Sequence, residues 1–142
     1  EKYIDILEKS FVIFRLRAIG RNPRKEVVKS VKIYFNDLGM RNSLINNHNS
    51  LDVRNDTGFI WENFCVVEKI KYNHYFQIHA GQYFWRNFRK KEVDFVEDLN
   101  GQITGYEFKW GKHDVKAPTD FLTDYKAIYK CINKDNVEAL FK

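Results

Sequence analysis

Glu92-Val93-Asp94-Phe95-Val96 and Ile103-Thr104-Gly105-Tyr106-Glu107-Phe108-Lys109 are two strand-like runs whose pairing decides how this chain reads. Asn100-Gly101 between them is a strong tight-turn dipeptide, so the two runs are expected to form a hairpin. Strand side chains alternate faces with period two. Glu107 and Lys109 therefore share one face, and Tyr106, Phe108 and Trp110 take the other. The same alternation points Asp94 opposite to Val93 and Phe95. In this register Asp94, Glu107 and Lys109 converge on one spot. Two carboxylates and an ammonium suit a hydrolytic Mg²⁺ site, in which hard oxygen ligands hold the cation and the lysine orients or helps deprotonate a water.

Outward from the hairpin, a helix is expected from Thr57 to Tyr72, with Thr57 as its cap and Ile60, Phe64 and Val67 as its apolar stripe, widened by Trp61 and Ile70. Glu62 lies near its N-terminal end, where the helix dipole alone favours a carboxylate. Tyr75-Phe76-Gln77-Ile78-His79 and Gln82-Tyr83-Phe84-Trp85-Arg86 read as strand material. Pro118-Thr119-Asp120 starts a second helix running to Cys131, and Val137–Phe141 reads as a last strand. Helix, strands, helix, strand is the order of a mixed sheet flanked by helices, an α/β fold. Upstream, Tyr3, Ile4 and Leu7 lie on a helical face. Phe11–Arg17 and Val31-Lys32-Ile33-Tyr34-Phe35 read as two strands around the basic turn Gly20-Arg21-Asn22-Pro23-Arg24-Lys25. This is either the wing of a winged helix or a plain hairpin packed on the main domain. Gly39 to Asp56 reads as a connector with a short helix near Met40–Ile45. The division expected is residues 1–56, winged-helix tail and connector, and residues 57–142, the α/β domain.

The chain has 142 residues, enough for one domain with a real core and a small appendage. Its 16% aromatic content argues against disorder. A net charge of +5 favours an anionic partner, nucleic acid being the commonest. Arg86, Arg89, Lys90 and Lys91 cluster just before the acidic strand, and Lys112 and Lys116 follow the Glu-x-Lys strand; both groups can hold phosphates. Phe88 or Trp85 can stack on an unpaired base, or anchor a solvated loop. The Arg21–Lys25 turn is a separate basic tip. Cys65 and Cys131 are far apart with no Cys-x-x-Cys, which points to a reducing cytoplasm, and His48, His74, His79 and His113 lack metal-ligand spacing. There is no apolar run long enough to span a membrane and no P-loop. Glu1 is not preceded by methionine and opens on what reads as the end of a helix, as in a fragment of a larger protein.

Asp94 and Glu107-x-Lys109 on adjacent strands, after a helix carrying Glu62, resemble the core of the PD-(D/E)xK superfamily, the restriction-endonuclease-like fold. Lys32-Ile33-Tyr34-Phe35-Asn36-Asp37-Leu38-Gly39, Thr57-Gly58-Phe59-Ile60-Trp61-Glu62-Asn63-Phe64, Trp85-Arg86, Glu92–Val96 and Glu107–Lys109 extend the likeness over nearly the whole chain. Together these blocks resemble the uncharacterised domain found C-terminal to the ATPase module of many prokaryotic AAA-type ATPases, in which a winged helix lies between the two. The resemblance implies that Asp94 and Glu107 hold Mg²⁺ or Mn²⁺, that Lys109 positions the attacking water, and that Glu62 holds a water or a second metal. Val93 stands where the superfamily's name has proline. The activity implied is Mg²⁺-dependent hydrolysis of DNA; the alternatives on the same fold are a non-catalytic DNA- or protein-binding regulatory module and an oligomerisation domain.

Overall fold

The Asn100-Gly101 turn forms as its chemistry requires. Both residues have positive φ, 53° and 87°, the backbone signature of the two-residue turn that matches strand twist. The turn joins β4 (Glu92–Leu99) to β5 (Gln102–Phe108). The two strands are antiparallel, with Leu99 opposite Gln102 and Phe95 opposite Tyr106. This computed structural model describes residues 2–111 and 114–142; Glu1, Lys112 and His113 lie outside the described residues.

β3 (Gly81–Arg86) pairs antiparallel with β4, and β6 (Ile128–Ile132) pairs parallel with β5. The result is a four-stranded mixed sheet in the order β3-β4-β5-β6. A parallel partner needs a crossover, and α4 (Thr119–Tyr125) lies on it. The long helix α3 (Thr57–Tyr75) covers one face. There Trp61, Cys65 and Val66 pack with Phe84, Phe95, Tyr106 and Phe108. On the other face Phe121 and Tyr125 of α4 pack with Trp85, Val93, Val96 and Ile103. Gly105 sits under α4, where an added Cβ would lie 2.6 Å from the Phe121 ring.

Upstream, α1 (Lys2–Lys9) leads into the antiparallel hairpin β1 (Ile13–Arg17) and β2 (Val31–Phe35). α2 (Leu38–Leu44) follows, its first turn capped by the Asp37 carboxylate, which accepts the Met40 N–H. The hairpin is built into the main fold. Leu16 and Tyr34 belong to the core under α3. Ala18 bridges Phe84 in parallel, and Val27 N–H donates to the Arg86 carbonyl at 2.9 Å. These bonds cover part of the outer edge of β3, which would otherwise expose unpaired backbone groups.

Several elements differ from the sequence reading. Helix α3 runs on to Tyr75, so Tyr75–His79 is not a strand; the rings of Tyr72 and Phe76 pack tilted with centroids 4.5 Å apart at helical spacing, and Gln77 then takes positive φ. The residue at the helix entrance is Asp56 rather than Thr57, and its carboxylate is taken by Arg54 and Arg41. The second helix stops at Tyr125, where Lys126 turns left-handed at φ 49°. Ile128–Ile132 is the last strand instead, and Val137–Phe141 is a 3-10 turn that seats Leu140 in the core. The apolar residues from Tyr125 to Ile132 fit both helical and strand spacing; the unfilled edge of β5 decides between them.

Candidate functional site

Strand β4 carries an irregularity that shapes the site. Tyr83 pairs with Val96 and Trp85 with Val93, so two steps along β3 match three along β4. Such a bulge breaks strict alternation and re-aims side chains. Val93 and Val96 lie on the α4 side and Phe95 on the α3 side. The expectation that Val93 and Phe95 share a face is thereby corrected. Asp94 Oδ2 accepts the Phe108 N–H at 2.9 Å. Its carboxylate therefore stands in for a backbone acceptor where the β4–β5 ladder ends.

Hairpin strand β2 supplies the next groups. Val31 and Ile33 are exposed, whereas Lys32 and Tyr34 point inward. Lys32 Nζ lies 2.7 Å from Glu62 Oε1 and 3.4 Å from Asp94 Oδ1, and it also pairs with Glu92. Tyr34 O–H donates to the same Glu62 oxygen at 2.6 Å. Glu62, Glu92 and Asp94 each place one oxygen within 4.8 Å of the others. The ammonium of Lys32 thus sits among three carboxylates drawn from α3 and β4. Beside them, Glu107 Oε1 pairs with Lys109 Nζ at 2.6 Å, while Glu107 Oε2 is buried with no hydrogen-bond partner among the described residues.

Burial and neighbouring charges shift Asp94, Glu107 and Lys32. Burial, then the negative charge of Glu62, pushes Asp94 up to about 7, against the pull of Lys32. Burial also raises Glu107, against the pull of Lys109. For Lys32, burial acts downward, but Glu62, Asp94 and Glu92 outweigh it and hold the ammonium above the ordinary lysine range. Arg86 pairs with Glu92 Oε2 at 2.5 Å. Three carboxylates against Lys32 and Arg86 leave one negative charge in excess, and the proton that Asp94 retains near neutrality offsets part of it.

The residues singled out from the sequence separate into groups. Glu62 and Asp94 meet at Lys32. Glu107 and Lys109 form the adjoining pair, close enough that the charges of Lys32 and Glu62 act on Glu107. Arg86 is engaged by Glu92 and by Ser30 Oγ at 3.3 Å. Arg89, Lys90 and Lys91 are exposed, and none is in a salt bridge among the described residues. Lys112, read as a phosphate contact, lies outside the described residues. Trp85 is buried at 1% exposure and donates its indole N–H to Glu26 at 2.6 Å, so it cannot stack on a base; Phe88 remains exposed.

Sequence reasoning missed Lys32, Tyr34 and Glu92 as site residues. The alternation in Val31–Phe35 does place Lys32 and Tyr34 on one face, and that was the available signal. Nothing local says that this face looks onto α3.

No helix among the described residues is long and apolar enough to cross a membrane. No solved structure matches the chain. Uncharacterized protein Mb2031c of Mycobacterium bovis is 30% identical over 112 residues, which is 76% of this chain and 24% of that protein. Uncharacterized protein Rv2008c of Mycobacterium tuberculosis matches with the same identity and coverage. The chain thus spans about a quarter of the length of these curated relatives. A domain of unknown function, DUF8612, matches residues 1–51, the segment that carries Lys32 and Tyr34. A second, DUF4143, matches residues 57–138, which carry Glu62, Glu92, Asp94, Glu107 and Lys109. With that stretch of its 142 residues matched, the chain belongs to the DUF4143 domain family.

Proposed function

We propose that this chain is a restriction-endonuclease-like domain of an AAA-type ATPase, acting in the cytoplasm, that handles nucleic acid without cutting it while Lys32 closes its acidic cluster. One observation carries the reading: the Lys32 ammonium lies among Glu62, Glu92 and Asp94, the three oxygens best placed for a cation. The donor set fits Mg²⁺ or Mn²⁺, being all carboxylate oxygen. The buried Glu107 Oε2, unpartnered among the described residues, adds a further acceptor beside it. Asp94 and Glu107, with Glu62 and Glu92, are the residues that would hold the ion. A bound divalent cation supplies charge for a scissile phosphate and a more acidic water. Lys109 is the group left to face a phosphate, since Lys32 is enclosed; its side chain is 40% exposed against 15% for Lys32. A largely enclosed ammonium already neutralising the carboxylates competes with any such ion, and this favours the non-cleaving reading over an open nuclease.

Calorimetric titration of Mn²⁺ into the wild type, Lys32→Met and Lys32→Met/Asp94→Ala tests it. We expect weak or no binding to the wild type, at least tenfold tighter binding to Lys32→Met, and loss of that gain in the double variant. Lys32→Met leaves the buried Asp94 carboxylate without its nearest cation, so the variant is also expected to melt lower and to be raised by Mn²⁺ through mass action. Tight Mn²⁺ binding by the wild type together with cleavage of DNA would replace this reading with an active nuclease.

A further inference from the structure

Two basic stretches that are far apart in the sequence form one surface in the fold. The hairpin tip between β1 and β2 lies against the loop between β3 and β4: Glu26 bridges Asn87, and Phe88 N–H donates to the Lys25 carbonyl at 3.0 Å. Between them is a groove of about 320 Å³ lined by Arg24, Lys25, Asn87, Phe88, Arg89 and Asp120. Arg24, Lys25, Arg89, Lys90 and Lys91 are all exposed, and none is in a salt bridge among the described residues. Among the described residues, the only carboxylate lining the groove is that of Asp120, which accepts the Asn87 amide N–H at 3.3 Å. Phe88 stands among the cations with 61% of its surface exposed. Its ring is therefore open to a planar partner beside those cations.

The position of the tip is built rather than incidental. Glu26 is 2% exposed. One of its oxygens accepts Arg21 N–H at 2.7 Å and Asn22 N–H at 2.8 Å; the other accepts the Trp85 indole N–H at 2.6 Å. Arg21 N–H also reaches Tyr125 O–H at 3.0 Å, and its guanidinium lies over the Tyr125 ring. A buried carboxylate thus organises the basic turn and pins it to the sheet, so that Arg24 and Lys25 line one groove with Arg89.

We propose that this composite surface binds single-stranded nucleic acid, with the cations of both loops on successive phosphates and Phe88 stacked on an unpaired base. Base–aromatic stacking beside a basic track is the recurring design for single strands. A rigid duplex offers phosphates but no free base face to Phe88. The inference deepens the reading that the domain handles nucleic acid and names the substrate class, but it makes no use of the acidic cluster.

The test is fluorescence anisotropy of a labelled oligo-dT strand and of a blunt DNA duplex with the 142-residue chain, in EDTA and over a salt series. Excluding divalent ions keeps the outcome separate from that of the Mn²⁺ titration. Arg24→Ala/Lys25→Ala and Arg89→Ala/Lys90→Ala are each expected to weaken single-strand binding about tenfold. Each should lower the salt slope by roughly 1.4, because a single strand releases about 0.7 counterion per phosphate neutralised. Phe88→Ala should weaken the single strand by about fivefold or more and leave the slope unchanged, as loss of a stacking contact does. Glu26→Ala raises the net charge yet should weaken binding, because the tip loses its anchor; Glu26→Gln keeps two of the three acceptor contacts and should retain more affinity. A duplex bound as tightly as the strand, with Phe88→Ala silent, would overturn the single-strand assignment. Loss confined to one loop's variant would overturn the composite surface, and no binding by the wild type at low salt would overturn the whole proposal.

Discussion

Asp94 is the residue at which sequence, geometry and titration meet most directly. Its carboxylate bonds the Phe108 amide and faces Lys32, and burial with the charge of Glu62 pushes it up to about 7 from an ordinary 3.8. The unfolded chain releases this proton near 3.8, whereas the folded protein keeps it until about 7. Folded protein therefore binds more protons across that window, and this contribution to stability falls as pH rises through it. Asp94→Asn removes the contribution. Urea denaturation at pH 5 and pH 8 should show a smaller loss of stability with rising pH in the variant than in the wild type. A residual slope is expected from Glu107, which is raised for the same reason. An identical slope in both proteins would mean that Asp94 is ionised across the whole range.

At the scale of elements, the β4–β5 hairpin was legible because each of its signals is local. Asn and Gly accept the positive φ that the turn needs, and the β-branched and aromatic residues on both sides suit a sheet with both faces covered. The last helix and strand were not legible in the same way. Tyr125, Ile128 and Tyr129 satisfy helical spacing as well as strand spacing, and the choice depends on β5 offering an unpaired parallel edge to Ile128–Ile132. The packing of α4 also depends on a gap in β5. At Gly105 a Cβ would meet the Phe121 ring at 2.6 Å and Val93 at 3.0 Å, with Phe121 fully buried. Gly105→Ala should thus overpack this face and cost about 1–3 kcal/mol, read as a lower urea midpoint without a change in the slope. No loss of stability would show that α4 can shift outward without penalty.

Across the whole molecule, the segments 1–51 and 57–138 match two separate domain families, yet the structure joins them through side chains. Asn63, fully buried on α3, accepts the Phe35 N–H at 2.9 Å and donates to the Phe35 carbonyl at 2.8 Å. Glu62, next to it, receives Lys32 and Tyr34. One turn of α3 therefore clamps the hairpin and closes the acidic cluster with it. Asn63→Ala leaves the donor and the acceptor of Phe35 without their partner, each costing about 1–3 kcal/mol if still buried. The expected result is a large drop in thermal stability, with hydrogen exchange rising first in Val31–Phe35. Exchange that rises evenly over the chain would show that the hairpin and the sheet open as one unit.

The sequence by itself determined the mixed α/β architecture, the tight β4–β5 turn, the hairpin at the N-terminal side and the identity of most of the acidic and basic groups. These depend on periodicity, turn chemistry and residue type, all of which act over a few neighbours along the chain. Tertiary structure alone decided which charges meet. The bulge in β4 turned Phe95 away from Val93, the hairpin carried Lys32 and Tyr34 onto Glu62, and Glu26 brought the Arg21–Lys25 turn beside Phe88 and Arg89. The last two pairings join residues tens of positions apart. Their energies come from burial and from charge brought close in a poorly solvated interior, quantities that do not exist until the chain has folded.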